Sequence, residues 1–197
     1  GILLIFDEVI TGWGRTGSPF ASQAFGVTPD IMTMAKAVTN GVVPLGAVAS
    51  RENIYDTVLD ASPMGAVEFF HGYTYSAIPV SMAAGLAMQN IIEKENLFQR
   101  SKDMSPYFLD GLFSLKDIDV ITDIRGYGMM GGIDIHLDER PGKAGYACFK
   151  KLFEAGLSLK ATGDCLIVAP PFVCETEHID EIIEKLRTGI TNYMKSK

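Results

Sequence analysis

The feature that most constrains this chain is an apolar run that ends in a carboxylate and is followed by a lysine among apolar residues. The run Ile2–Phe6 is continuous and apolar, which is typical of a strand buried on both faces of a parallel sheet. Asp7 follows it directly, and Lys36 stands 29 positions later, flanked by Met34 and Ala37. Ligands of open α/β sheets bind at the carboxyl ends of strands, so we expect Asp7 to lie at a binding site.

This pair of residues supports more than one hypothesis. A carboxylate and an amine are what a protein needs to hold pyridoxal 5'-phosphate (PLP): the carboxylate keeps the pyridine nitrogen protonated, and the lysine forms a Schiff base. The strand alone also fits a P-loop ATPase, in which an apolar run ending in Asp-Glu, here Ile2–Glu8, positions magnesium. A lone lysine is usually a solvated surface residue, and a strand-end aspartate can simply cap a loop amide. The pair by itself therefore leaves these alternatives open.

Composition argues against several kinds of partner and site. The net charge of −7 comes without a basic stripe, which argues against a nucleic-acid partner. The chain has three cysteines, an odd number without paired metal spacing, and its three histidines are scattered. We therefore expect reduced thiols, a cytoplasmic protein and no metal site. No apolar run reaches the length of a membrane span and no signal-peptide pattern opens the chain, so we expect no membrane association.

The start of the sequence is unusual for a complete protein. Gly1 has no methionine before it, and the chain begins directly inside the predicted strand. A strand of that kind needs neighbours on both edges. We therefore expect this chain to be the C-terminal portion of a longer polypeptide.

Local patterns predict a chain that alternates strands and helices in two domains, residues 1–98 and 99–197. The charged segment Lys94–Lys102 is interpreted as the link between them. Predicted elements of the first domain are a glycine-rich loop at Thr11–Ser18, a strand at Leu45–Ala49 and a helix at Ile78–Glu95. The second domain has predicted strands at Asp119–Thr122, Gly132–Leu137 and Cys165–Ala169 and a predicted helix at Ala144–Ala155. A final helix is predicted after Thr176. Its apolar stripe consists of Ile179, Ile182, Ile183, Leu186 and Ile190.

Several stretches resemble, in order and spacing, the class III (omega) aminotransferases of PLP fold type I. The matching stretches are FDEVITGWGRTG at 6–17, TPD at 28–30, KAVTNG at 36–41, HGYTYS at 71–76, RGYGM at 125–129 and APPF at 169–172. The resemblance covers nearly the whole chain. It implies an α/β fold, made of the C-terminal half of a large domain with a mostly parallel sheet and then a small α+β domain.

The resemblance also implies roles for individual residues. Asp7 would pair with the pyridine nitrogen of PLP, and Val9 would pack on one face of the ring. Lys36 would be the Schiff-base lysine and would carry the proton between substrate and cofactor. Thr74 would reach the phosphate of the cofactor held by the other subunit, which implies a homodimer with shared active sites.

Other positions bear on the substrate. Lys160 matches the place where omega-aminotransferases of the β-alanine:pyruvate type usually carry an arginine that clamps the substrate carboxylate. Lysine is a point charge that cannot make the bidentate fork, so we expect carboxylate recognition to be altered. Trp13 and Tyr73 would line the substrate region, although a packing role is equally consistent with either residue.

The activity implied by the resemblance is transfer of an amino group from an omega-amino acid or primary amine to a 2-oxo acid, with pyruvate as the expected acceptor. Alternatives within PLP chemistry are an aminomutase and a decarboxylase of the same family. Outside it, a P-loop ATPase would need its Gly-x-x-x-x-Gly-Lys-Ser/Thr loop upstream of Gly1, and a noncatalytic module with the PLP fold is the remaining alternative. We expect residues 1–197 alone to be inactive, because the phosphate loop and ring-stacking aromatic residue should lie upstream.

Overall fold

The computed structural model describes residues 1–64, 72–136 and 141–195. The chain divides into two compact units, Gly1–Phe98 and Gln99–Lys197. Within the described residues, none of the helices combines the length and hydropathy that crossing a membrane requires.

The first unit contains a three-stranded mixed sheet. Its strands are β1 (Ile5–Asp7), β2 (Ile31–Met34) and β3 (Ala47–Ser50), in that spatial order. β1 and β2 run parallel, with Asp7 opposite Thr33, whereas β3 runs antiparallel to β2. Because β1 and β2 are parallel, their carboxyl ends lie on the same side of the sheet, and binding sites of α/β folds form at these strand ends.

The predicted burial of the first strand is wrong for this chain. Regular pairing with β2 begins at Ile5 rather than Ile2, and Ile5 exposes 57% of its surface. The physical reason is that β1 has a single strand neighbour among the described residues. Its second edge is therefore unpaired, and its apolar side chains lack the cover that a central strand receives.

Three helices accompany this sheet: α1 (Ala21–Ala24), α2 (Glu52–Ala61) and α3 (Pro79–Lys94). The helix predicted at Ile78–Glu95 is confirmed as α3, with Pro79 at its first position, where the missing N–H costs no helical hydrogen bond. The strand predicted at Leu45–Ala49 is confirmed as β3. The sequence analysis did not predict α2.

Helix α3 also holds the loop that precedes β3. The Ser81 hydroxyl donates a hydrogen bond to the Pro44 carbonyl over 3.0 Å. A Cβ placed on Gly85 would lie 3.5 Å from the Leu45 side chain, which is ordinary van der Waals contact. The same loop is tied within itself, because the Thr39 hydroxyl donates to the Val43 carbonyl over 2.6 Å.

The segment interpreted as a link between the domains is mostly helical. Helix α4 (Leu97–Phe113) begins three residues after α3 ends, and the interpretation of Lys94–Lys102 as the link between two domains stays a prediction. The helix is amphipathic: Lys102 is exposed on one side, and the partly buried Arg100 donates a hydrogen bond to the Phe172 carbonyl. Its other face is apolar, with Phe108 and Leu112 completely buried.

The second unit is built on a four-stranded antiparallel sheet. Its strands are β4 (Ile121–Tyr127), β5 (Met130–Ile135), β6 (Lys160–Thr162) and β7 (Cys165–Val168), in the spatial order β4-β5-β7-β6. The strands predicted at Gly132–Leu137 and Cys165–Ala169 correspond to β5 and β7, although Leu137 lies outside the described residues. The strand predicted at Asp119–Thr122 is β4, which starts later and continues to Tyr127. The sequence analysis did not predict β6.

Helices α5 (Ala144–Glu154) and α6 (Thr176–Lys195) confirm the two helices predicted for this unit. With α4 and the sheet they enclose one hydrophobic core. The predicted stripe of α6 contributes Ile179, Leu186 and Ile190, all completely buried. Cys148 lies in the same core, and burial raises the pKa of its thiol to about 12, which makes it unreactive near neutral pH.

Candidate active site

Glu8 organises the loop that follows β1. Its carboxylate is buried and accepts hydrogen bonds from the Thr11 hydroxyl (2.5 Å) and from the backbone amides of Ala21 (3.0 Å) and Ser22 (2.8 Å). Those two amides open α1, where backbone donors otherwise lack helical partners. Glu8 therefore ties the glycine-rich loop to α1 and fixes the backbone next to Asp7. These bonds to α1 were not predicted from the sequence.

We expect Glu8→Gln to destabilise the full-length protein by about 1–3 kcal/mol, the usual cost of leaving buried donors without a charged acceptor. Glutamine offers one acceptor oxygen and would turn its NH₂ group toward N–H or O–H donors. Denaturant unfolding measures the change. Glu93→Gln, at an exposed position of α3, is the matched control and should change stability by less than about 0.5 kcal/mol. Equal effects of the two substitutions would contradict the assigned role.

The glycine-rich loop forms a succession of turns, as predicted. Gly14 and Gly17 have φ values of 104° and 77°, in a region that side chains rarely adopt. Gly12 is required for a different reason, since a Cβ there would lie 2.8 Å from the Glu8 carbonyl oxygen. Arg15, in the same loop, is half-buried, and desolvation lowers the pKa of its guanidinium below the usual value. An arginine nevertheless stays charged at neutral pH.

Trp13 packs within this loop. Its ring meets the ring of Phe20 edge to face, with centroids 5.5 Å apart. Its indole Nε1 is buried without a hydrogen-bond partner among the described residues. The structure thus gives Trp13 a packing contact, and its predicted place in the substrate region stays a prediction.

Asp7 lies at the carboxyl end of β1, and two hydrogen bonds orient its carboxylate. Oδ1 accepts hydrogen bonds from the Val9 amide and from the Thr33 hydroxyl, both over 3.1 Å. Oδ2 accepts no hydrogen bond from the part of the chain that the structure describes. The side chain is exposed, so this oxygen can accept a bond from a bound cation or protonated ring.

Lys36 lies just beyond the end of β2, at the same edge of the sheet. It opens a short 3₁₀ turn, Lys36–Val38, and has a φ of 50°, in the left-handed region. Thr33 is the register partner of Asp7, and Lys36 follows it by three residues, about 10 Å of extended backbone at ~3.3 Å per residue. The parallel register therefore places both residues at or just beyond the carboxyl ends of neighbouring strands.

Lys36 has apolar neighbours in the sequence, but these neighbours do not bury its side chain. The lysine is exposed in this chain, because it lies in a turn past the strand rather than within the sheet. It does line a cavity of about 930 Å³ whose walls include Pro44, Leu45 and Ile78. The apolar side chains near Lys36 are therefore the ones that line this cavity. Its volume lies within the range of ordinary ligand sites.

The segment before α3 borders two cavities. Thr74 is exposed and opens a turn that ends at Ala77, while Tyr75 and Ser76 line the cavity that contains Lys36. Tyr73 lines a second cavity of about 900 Å³, together with Thr33 and residues of β3. His71, part of the same motif, lies outside the described residues. The predicted roles of Thr74 and Tyr73 stay predictions.

Lys160 belongs to the second unit. It is exposed at the start of β6, opposite Ile167 of β7. β6 is an edge strand of its sheet, so its outer side is open. Asp7, Val9 and Lys36 all belong to the first unit, and the role of Lys160 toward substrate stays a prediction.

Comparison with known proteins decides the family. Residues 1–190 match the family model described as "Aminotransferase class-III". The chain belongs to the class-III aminotransferases. It is 45% identical over 189 residues to the omega-aminotransferase of Caulobacter vibrioides, covering 94% of this chain and 42% of that protein. It is also 45% identical over 189 residues to the omega-amino acid–pyruvate aminotransferase of Pseudomonas putida, covering 93% and 41%.

Solved structures agree with this family. A thermostable omega transaminase from Pseudomonas jessenii, a 4-fold mutant, superposes with a TM-score of 0.92 at 30% identity, covering 98% of this chain and 44% of that one. The predicted family and PLP fold type I are therefore confirmed, and the P-loop ATPase alternative is wrong. This class-III aminotransferase chain spans less than half the length of the relatives that it matches.

The residues present fit the cofactor on which class-III aminotransferases depend, pyridoxal phosphate. Asp7 offers an oriented carboxylate oxygen that can accept a hydrogen bond from a pyridinium. Lys36 supplies a primary amine at the same sheet edge, next to a cavity of suitable volume. The chemistry of Asp7 and Lys36 in this class-III chain is therefore compatible with the ring nitrogen and the aldehyde, and their roles stay predictions.

Proposed function

We propose that the full-length protein is a PLP-dependent transaminase that moves an amino group from an omega-amino acid or primary amine to a 2-oxo acid, with pyruvate as acceptor. The observation that carries this proposal is the placement of Asp7 and Lys36 at the carboxyl edge of two parallel strands. The printed names of relatives that are 45% identical indicate the substrate class.

Each of these residues has a specific task in the proposed reaction. The cofactor supplies an electron sink that stabilises negative charge at the reacting carbon of the substrate. Asp7 keeps the ring nitrogen protonated through an ion-paired hydrogen bond. Val9 would pack against the ring, and its backbone amide helps to orient Asp7. Lys36 would hold the cofactor covalently until substrate arrives, and its freed amine would then move a proton at the substrate carbon.

The test is made on the full-length protein. We expect a visible absorption band from the bound cofactor, together with alanine formation when an omega-amino acid and pyruvate are supplied. An aminomutase would instead rearrange the amino acid without an acceptor, and a decarboxylase would release carbon dioxide. Cofactor binding without any turnover would indicate the noncatalytic module. Any of these three results would contradict the proposal.

We further propose that the protein is a cytoplasmic homodimer whose two active sites are shared, and that its two compact units are its large and small domains. Thr74 lies exposed in the turn before α3, where a partner subunit's cofactor phosphate could reach its hydroxyl. The odd number of cysteines is typical of a reducing compartment. The mass of the full-length protein in solution is expected to be twice the chain mass, and residues 1–197 expressed alone should neither retain PLP nor transaminate. An active monomer would contradict both statements.

Lys160 is proposed to contact the substrate carboxylate through a single-point ion pair. We expect Lys160→Arg to lower the KM for pyruvate about tenfold, because arginine restores a bidentate charged hydrogen bond worth about 1–3 kcal/mol. The KM for a monoamine without a carboxylate should stay unchanged. Steady-state kinetics with both substrates measure this difference.

Lys150→Arg is the matched control for Lys160→Arg, since Lys150 lies over the ring of Tyr146 on α5 and has no proposed substrate role. It should leave both constants unchanged. If Lys160→Arg has the same effect on pyruvate and monoamine, Lys160 is a surface residue without a role in specificity.

A further inference from the structure

Thr33 is the residue of β2 that lies directly opposite Asp7 in the parallel pair β1–β2. Its hydroxyl donates a hydrogen bond to Asp7 Oδ1 over 3.1 Å. The Val9 amide donates to the same oxygen, also over 3.1 Å. One carboxylate oxygen is therefore held by two donors, one from its own loop and one from the neighbouring strand.

The two bonds have a geometric consequence. A carboxylate held by one hydrogen bond can still pivot about the bonded oxygen, whereas two donors from different directions restrict its rotation. Both donors engage Oδ1, so Oδ2 is the oxygen that remains to accept a hydrogen bond from a ligand. Holding a charged group in its working orientation before a ligand arrives lowers the cost of ordering it on binding.

Thr33 is not explained by strand formation alone. Threonine favours strands because its branched side chain suits a pleated surface, but valine satisfies the same preference with nearly the same shape. The difference between the two residues is the hydroxyl, and here the hydroxyl is bonded to Asp7. Its absence would leave the Val9 amide as the one remaining donor to Asp7 among the described residues.

We propose that Thr33 is a positioning residue, whose hydroxyl fixes the rotation of the Asp7 carboxylate so that Oδ2 meets the pyridine nitrogen of PLP. The proposal rests on the proposed function, since it requires that Asp7 pairs with that nitrogen. Thr33 itself acts through Asp7.

The test compares two ligands in full-length protein freed of cofactor. One is PLP, and the other is its 1-deaza analogue, in which carbon replaces the pyridine nitrogen while the aldehyde and phosphate remain. Thr33→Val removes the hydroxyl at constant shape, and Thr33→Ser keeps it. Thr57→Val is the control, because the Thr57 hydroxyl bonds the Asn53 carbonyl on α2 instead. Dissociation constants are obtained by titration of visible absorbance.

We expect Thr33→Val to raise the Kd for PLP about tenfold, in line with the loss of a hydrogen bond to a charged group. Its Kd for the deaza analogue should stay within about twofold of the unsubstituted protein, since that ligand has no nitrogen for Asp7 to hold. Thr33→Ser and Thr57→Val should bind both ligands nearly normally. Thr33→Ala, which also lacks the hydroxyl, is measured in parallel with circular dichroism as a check of folding, and it should show the same ligand dependence.

Two results would overturn the role of Thr33 while leaving the proposed function intact. One is an equal loss of affinity for both ligands, which indicates general loosening of the strand pair. The other is unchanged PLP binding in Thr33→Val and Thr33→Ala. Unsubstituted protein that binds PLP no more tightly than the deaza analogue, and that does not transaminate, would refute the proposed function and this inference with it.

Discussion

Lys36→Ala in the full-length protein is expected to reduce transamination about 10⁴-fold or more, because both the covalent anchor and the proton-transferring amine are lost. The folded structure should persist, since Lys36 is exposed and lies in a turn rather than in the core. Turnover of an omega-amino acid with pyruvate measures the loss. Weak noncovalent binding of PLP through Asp7 is expected to remain.

The control for this substitution is Lys94→Ala, which removes the other lysine of the first unit, at the end of α3. It should leave turnover unchanged. Borohydride reduction of the unsubstituted protein provides an independent measurement, because it should fix a pyridoxyl group on the peptide that contains Lys36. A label on any other lysine would sink the assignment, however large the kinetic effect of Lys36→Ala.

Asp7→Asn is expected to reduce turnover about 10- to 1000-fold, because removing the charge that favours the protonated ring shifts the pKa of the pyridine nitrogen by about 1–3 units. Asparagine has nearly the same shape and can still accept from the Val9 amide and the Thr33 hydroxyl. The expected loss therefore comes from the charge rather than from the loop. Single-turnover kinetics with amine alone, together with the Kd for PLP, measure it.

Asp56→Asn, at an exposed position of α2, is the matched control and should behave like the unsubstituted protein. A result that contradicts the role of Asp7 would be normal turnover and normal PLP affinity in Asp7→Asn. In that case the carboxylate would serve only the loop, through the Val9 amide.

Elements with a strong local signal could be predicted from the sequence. Helix α6 combines acids near its start with a regular apolar stripe, and α3 begins at a proline that suits a first turn. Helix α4 was missed because its charged residues resemble a linker when its apolar face is not considered together with them. Helix α2 and strand β6 were not predicted. The burial of β1 could not be judged locally, since it depends on which strands lie beside it.

The residues of the candidate site also differ in whether the sequence could indicate them. Asp7 stands out in the sequence because it follows an apolar run, and Lys36 because its neighbours are apolar, although their roles stay predictions. Thr33 does not stand out, because its role depends on the register between strands whose paired residues are 26 positions apart. The partners of Glu8 could not be predicted for a similar reason, since two of them are the amides of α1, 13 and 14 residues away. A search for polar residues opposite Asp7 in a parallel register would have found Thr33.

At Lys36, which has a left-handed backbone conformation, the residue proposed for the chemistry differs from the residue that would be most favourable for folding. A non-glycine residue in this region is disfavoured by about 1 kcal/mol, and glycine would occupy the same φ of 50° without that cost. A sequence chosen for stability alone would therefore place glycine here. The turn instead contains lysine, with its long side chain, at a position where glycine would have the lower backbone energy. Under the proposed function, this backbone cost is accepted because the amine of Lys36 is needed for reaction.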